Sequence, residues 1–224
     1  MSVMCSVYVP EGIVMAADSR MTANLMFKTP DGKTQQQGLF PVSDNAQKVF
    51  LLNKVKVGIT SCGAAVIDNK TISDYLRIFE IEEVKAGDTV TDVAKKLQHY
   101  AYNNFPNIHF FVCGYEEEEP FVYDVAKELK RINMSNGKLV YASSWSGDVQ
   151  AITKLLNSQP PSPINHNLMP LKDAVDFADF LVDLTIKLQR FETKPRTCGG
   201  DTDVLVLTKD DAYWYKHKIF KPAR

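Results

Sequence analysis

Residues 1–20 read MSVMCSVYVPEGIVMAADSR. Ser2–Val9 alternates, Pro10-Glu11-Gly12 has turn composition, and Ile13–Asp18 is an apolar run that ends in Asp18-Ser19-Arg20. This predicts two paired strands joined by a tight turn. Ser2 sits directly behind Met1. Once Met1 is trimmed, Ser2 carries a hydroxyl and a free α-amine on one residue. An α-amine titrates near ~8, so at neutral pH it takes the hydroxyl's proton as general base. The acid at Asp18, one hairpin away, is placed to orient and charge-balance that terminus.

Outward from this hairpin, Met21–Ser43 is polar and without a clear period, and reads as a long loop or an extended hairpin. Lys48–Leu52 and Val55–Ser61 form a second strand pair around a tight turn at Asn53-Lys54. The pattern turns helical from Ala64 to about Glu83, and again from about Thr89 to Asn104. Ile108–Tyr115, Phe121–Val125, Leu129–Asn133 and Leu139–Ala142 read as strands. The Glu116–Glu119 run marks a solvated hairpin tip. A third helix spans from near Gly147 to Ser158, and prolines then interrupt the chain. Leu171–Arg190 carries Leu171, Ala174, Val175, Ala178, Leu181, Val182, Thr185 and Leu188 on one face. Phe177, Phe180 and Leu184 give it a second apolar side, so it is expected to be sandwiched. Asp203–Thr208 and Ala212–Lys218 close as a hairpin. Helices arriving in pairs between antiparallel meanders argue against βαβ units and for an α+β fold: a four-layer αββα sandwich of two antiparallel sheets flanked by helix pairs. No internal boundary or repeat is visible, so residues 1–224 read as one domain.

With 26 basic and 27 acidic residues among 224, the charge is balanced, and nucleic acid or an acidic membrane is not an expected partner. No apolar run approaches the ~20 residues that span a bilayer. The N-terminus shows no basic region or cleavage site, which predicts no secretory leader. Cys5, Cys62, Cys113 and Cys198 are scattered without a CxxC pair, and His99, His109, His166 and His217 show no metal spacing. A reducing, cytoplasmic compartment and no metal or organic cofactor are the expectation. Cys5, inside a strand and without an amine of its own, reads as a core residue.

Gly12-Ile13-Val14-Met15-Ala16-Ala17-Asp18-Ser19-Arg20 resembles the G-[VI]-[VI]-x-A-x-D-S-R segment of proteasome β-type subunits and their bacterial relatives, which are N-terminal nucleophile hydrolases. Counted back from Asp18, the family's nucleophile falls on Ser2. Lys48-Val49 resembles the family's catalytic-lysine step, delayed here by roughly fifteen residues of the Met21–Ser43 segment. A lysine beside Asp18 and Ser2 would lower the pKa of the amine and stabilise the developing alkoxide. On its own, Lys48 is a solvent-facing strand residue. Cys62-Gly63 matches the small-residue turn where a backbone N–H stabilises the oxyanion, with Cys62 in place of the usual first glycine. Ser146-Gly147 matches the end of a G-S-G step, with Trp145 in place of its first glycine. Ser146 either supports the N-terminal amine by a hydrogen bond or is the helix N-cap. Cys198-Gly199-Gly200-Asp201 lies where the family has S-G-G or S-G-D, with Cys198 replacing the serine and Pro195 replacing an aspartate.

The resemblance implies the αββα fold, an acyl-enzyme on Ser2 released by water, a peptide or protein substrate, and a homo-oligomer, with a ring as one form. It names no unfolding partner. The departures at Cys62, Pro195 and Cys198 open a second reading, a catalytically inactive scaffold or binding subunit of the same fold. A third is a transpeptidase or ligase, in which an amine replaces water.

Overall fold

Strand β1 (Val3–Val9) is buried along its whole length, and its two-residue period decides where each side chain goes. Val3, Cys5, Val7 and Val9 enter one apolar cluster, while Met4 and Tyr8 enter another. The split continues in β2 (Gly12–Ala17), where Val14 and Ala16 join the first cluster and Ile13, Met15 and Ala17 the second. Both faces being covered, this pair forms the middle of its sheet. The computed structural model describes residues 2–28, 35–160 and 163–218. Met1 lies outside them, as does the middle of the Met21–Ser43 segment.

The two arms of that segment, β3 (Met21–Lys28) and β4 (Gln35–Ser43), pair antiparallel as a separate two-stranded sheet, the extended-hairpin alternative. The next pair, β5 (Val49–Leu52) and β6 (Val57–Gly63), forms as the sequence predicts. The helix expected from Ala64 begins only at Ile72. A small hairpin of β7 (Val66–Ile67) and β8 (Lys70–Thr71) comes first, turning through Asp68 and Asn69 at positive φ. Thr71 then caps α1 (Ile72–Glu82). Thr89 and Asp92 form a reciprocal capping box at the start of α2 (Val90–Tyr100), and a short 3-10 turn at Tyr102–Asn104 follows it.

β9 (Ile108–Glu116) and β10 (Glu119–Val125) make a hairpin with Glu117-Glu118 at its tip, followed by β11 (Leu129–Arg131). A second small hairpin joins β12 (Met134–Ser135) and β13 (Lys138–Leu139) through Gly137. β14 (Ala142–Gly147) corrects the reading of Ser144–Gly147 as the approach to a helix, because these residues pair with β1. The third helix is short, α3 (Gln150–Leu156). α4 (Leu171–Gln189) has its first free N–H, that of Leu171, bound by Glu11 from the β1–β2 turn at 2.8 Å. It is not sandwiched. Phe180 and Leu188 are exposed, and one face only is buried. β15 (Asp203–Leu207) and β16 (Ala212–Lys216) close the described chain.

The strands assemble into two five-stranded sheets, β14-β1-β2-β15-β16 and β11-β10-β9-β6-β5, antiparallel throughout. The α+β class with antiparallel sheets and four α-helices therefore holds among the described residues. Three apolar clusters hold the elements together. α1 and α2 pack Phe79 and Leu97 against Ile59 and Phe110 of the second sheet. α3 and α4 pack Ile152 and Leu181 against Val7 and Val206 of the first. The third cluster draws on both sheets, with Met15 and Leu205 joined by Phe111 and Val122. Each such fully buried side chain contributes roughly 1.5–3 kcal/mol over its exposed state. Among the described residues, no helix is long and apolar enough to cross a membrane.

Candidate active site

Asp18 follows directly on β2 and is buried, with both carboxylate oxygens committed. Oδ1 accepts the Lys48 ammonium at 2.7 Å and the Val3 N–H at 3.0 Å. Oδ2 accepts the Arg20 N–H at 3.1 Å and the Gly199 N–H at 3.0 Å. One carboxylate thus gathers the strand behind Ser2, the Asp-Ser-Arg segment, the start of β5 and the loop before β15. Lys48 is buried with it and does not face solvent. An ion pair held out of water keeps its geometry when further hydrogen bonds satisfy its remaining valences, as the three backbone N–H groups do for the Asp18 carboxylate.

Ser2 itself is 5% exposed and continues β1. Its carbonyl accepts the Asp148 N–H at 2.7 Å. Gly147, at φ +96°, approaches so closely that a Cβ there would collide with that carbonyl. Glycine is therefore required by both backbone angle and space. A cavity of about 540 Å³ opens beside Ser2, with Cys62, Gly63, His109, Ser146 and Gly147 also in its wall. Five of the ten candidate residues (Ser2, Cys62, Gly63, Ser146, Gly147) thus line one cavity, and Asp18 and Lys48 stand one residue behind it.

Arg20 points elsewhere. Its guanidinium clamps Asp44 through two bonds, Nε to Oδ1 at 2.6 Å and Nη2 to Oδ2 at 2.8 Å. Gly199 lies against it, and a Cβ there would sit 2.5 Å from Arg20 Cζ. Arg20 and Gly199 therefore shape the loop around Asp18. Cys198 is buried, and its thiol is pushed up to about 12, chiefly by burial and then by the charge of Asp18. It is a neutral thiol where the resemblance places a hydroxyl. Glu192, near the missing aspartate, is otherwise engaged, and Asp201 is exposed. Glu192 pairs with Lys194 at 3.2 Å, and the Asp201 carbonyl accepts the Ser19 hydroxyl.

Ser146 is not a helix N-cap, since α3 starts after Val149 and has no side-chain cap. Its Oγ lies 2.6 Å from His109 Nδ1 and 3.5 Å from Cys62 Sγ. The other ring nitrogen of His109, Nε2, bonds Asp124 Oδ1. Burial alone would lower the His109 pKa, but the bond to Asp124 and the adjacent Cys62 sulfur outweigh it and push the group up to about 9. Neither His109 nor Asp124 is signalled by motif or spacing. Strand parity carries a signal, because β9 sends Ile108, Phe110 and Val112 to the helices and Phe111 and Cys113 toward the other sheet. His109, in step with Phe111, belongs to the inner face.

A second set also escapes sequence reading. Asp148, Gln189 and Thr197 are buried together behind Ser2. Gln189 donates to Asp148 Oδ2 at 2.8 Å and accepts the N–H groups of Thr197 and Cys198 at 2.8 and 2.9 Å. The end of α4 thereby fixes the Cys198-Gly199 loop. Its one sequence signal is a glutamine four residues beyond Thr185 on the buried helix face. Cys5, at the opposite end of strand logic, is core. It is fully buried, its thiol donates to the Ala178 carbonyl at 3.5 Å, and burial pushes it up to about 12.

Among the described residues, no group of three or more His, Cys, Asp or Glu is placed to hold a metal ion. No protein-family model matches the chain, and no curated protein matches its sequence.

Proposed function

We propose that this chain is an N-terminal serine hydrolase of proteasome type, cleaving a peptide or amide bond through an acyl-enzyme on Ser2 after removal of Met1. The observation that carries the reading is the buried Asp18–Lys48 pair, whose carboxylate is also bonded to the backbone of Val3, one residue from Ser2 and beside an open cavity. The Ser2 amine takes the proton of its own hydroxyl, and Oγ attacks the acyl carbon. The tetrahedral oxyanion is met by backbone N–H groups at Cys62-Gly63, and the ammonium returns its proton to the leaving amine. Water, activated by the same amine, then releases the acyl group. Lys48, held by Asp18, keeps the amine's pKa down by like charge. The three apolar clusters are the packing a four-layer αββα sandwich requires, and that fold is part of the proposal, as are a cytoplasmic homo-oligomer and a ring form.

The test is the intact mass of untagged protein before and after a peptide epoxyketone, a probe that needs both hydroxyl and free amine. Loss of Met1 with one stoichiometric adduct, absent in Ser2→Ala, is the expected result. A Met1-free protein that takes no adduct sinks the reading. The neutral thiol at Cys198 favours a second reading, an inactive scaffold of the same fold, which predicts that second outcome.

A further inference from the structure

Asp124, His109 and Ser146 form a polar chain at one end of the largely apolar layer between the sheets. Asp124 is on β10 and His109 on β9 of one sheet, while Ser146 is on β14 of the other. The 2.6 Å contact from His109 to Ser146 therefore bridges the two sheets. Ser146 stands opposite Met4 in the β1–β14 register, two residues along from Ser2 and on the same face. All four residues line the cavity of about 540 Å³.

We infer that Asp124 and His109 are positioning residues for the Ser2 centre, fixing the direction in which the Ser146 hydroxyl gives its hydrogen so that it is turned into the cavity. This rests on the Ser2 reading proposed above. The direction follows from hydrogen-bond valence. An ionised carboxylate only accepts, so Asp124 keeps a proton on His109 Nε2 in either charge state. When the ring is protonated, Nδ1 also carries a hydrogen, and Ser146 Oγ must accept it. The Ser146 hydrogen is then left for an acyl substrate at Ser2. When the ring is neutral, Nδ1 is bare, and Ser146 must donate to it instead. The cavity then loses its donor. The other groups facing the ring are the Cys62 thiol on β6, which approaches Ser146 Oγ at 3.5 Å, and the Phe111 ring edge on β9. Lys127 stands in the cavity wall at its exposed side. With its pKa pushed up to about 9, His109 holds the donor in place across neutral pH.

The experiment follows the rate of epoxyketone adduct formation on Met1-free protein from pH about 6 to about 10. In the unmodified protein the rate rises as the Ser2 amine, held below its ordinary ~8 by Lys48, deprotonates, then falls about tenfold as His109 titrates, the size of one hydrogen bond lost from the transition state. His109→Asn, whose amide N–H takes the Nδ1 position and donates to Ser146 but does not titrate, retains more of the neutral-pH rate than His109→Ala and loses the alkaline fall. His109→Ala loses the rate about tenfold at neutral pH. If His109→Ala fails to fold, Asp124→Asn serves, and moves the alkaline fall to lower pH. The same rates and the same pH profile in every folded variant would overturn the positioning role and leave the Ser2 reading standing. No adduct on the unmodified protein at any pH sinks the Ser2 reading and the positioning role with it.

Discussion

At the scale of single residues, the site depends on contacts that leave no room for alternatives. Gly147 combines positive φ with a backbone approach to the Ser2 carbonyl. Gly147→Ala adds backbone strain of about 1–3 kcal/mol and pushes Ser2 out of line. A lowered urea midpoint together with lost adduct formation is the expected result. An unchanged midpoint would mean that the Ser2 backbone is free to move. Lys48→Met tests the ion pair. Asp18 would keep its three N–H donors but lose its buried counter-charge, a change that costs about 3–5 kcal/mol when one partner of such a pair is removed. Denaturant titration would show it, and a loss below about 1 kcal/mol would place the pair in solvent. Asp18 and Lys48 were legible in the sequence because a nine-residue segment and a Lys-Val step carry them. His109 and Asp124 were not, because their meeting is made by strand pairing across 15 residues within one sheet, and only the contact to Ser146 crosses to the other.

At the scale of elements, local signals located most strands and the starts of α2 and α4, and misplaced the start of α1 and the strand β14. The β1–β2 hairpin, β5–β6 and β15–β16 follow from apolar runs broken by turn residues, and the structure moves their ends by a residue or two. Ala64–Thr71 reads as helical because its apolar residues have no strand alternation, yet Asp68 and Asn69 take left-handed angles and form a hairpin turn before the Thr71 cap. Ser144–Gly147 reads as a helix approach because Ser and Gly are capping residues. Its pairing with β1 is a long-range fact that no local pattern encodes. α2, by contrast, announces itself through Thr89 and Asp92. Thr89→Ala removes the side-chain acceptor for Asp92 N–H and should cost about 1 kcal/mol, seen as a lowered thermal midpoint. The β3–β4 sheet offers a different test. A two-stranded sheet by itself is marginal in water, so the amides of β3 and β4 should exchange with solvent far faster than those of β1 and β2, which are buried on both faces. Equal protection in hydrogen exchange would require that the ribbon be covered, as by a second copy in an oligomer.

At the scale of the whole molecule, the parity of side chains along the strands divides each sheet into a helix-facing and a sheet-facing surface, and the candidate site lies at the end of the layer the two sheets share. That layer is apolar along Met15, Leu205, Phe111 and Val122, carries a Ser6–Cys113 contact within it, and turns polar at the end beside Ser2, where Ser146 and His109 meet. The His109–Ser146 bridge should write itself into the pH dependence of stability. The His109 pKa is raised on folding, from an ordinary value of 6.5 to about 9. A raised pKa means that the folded state holds its proton more tightly than the unfolded chain does. The stabilisation is therefore complete below about 6.5 and is lost as pH climbs through about 9. Its full size is on the order of 3 kcal/mol. The buried thiols of Cys5, Cys113 and Cys198 act in the same direction but later, since each is raised from 9.0 to about 12 and is destabilising only as the unfolded chain ionises above 9.0. The two windows can be separated by urea unfolding at neutral pH, near pH 9 and above it. His109→Gln should flatten the first fall and leave the second untouched. A first fall that survives the substitution would mean that another group holds the two sheets together at this end.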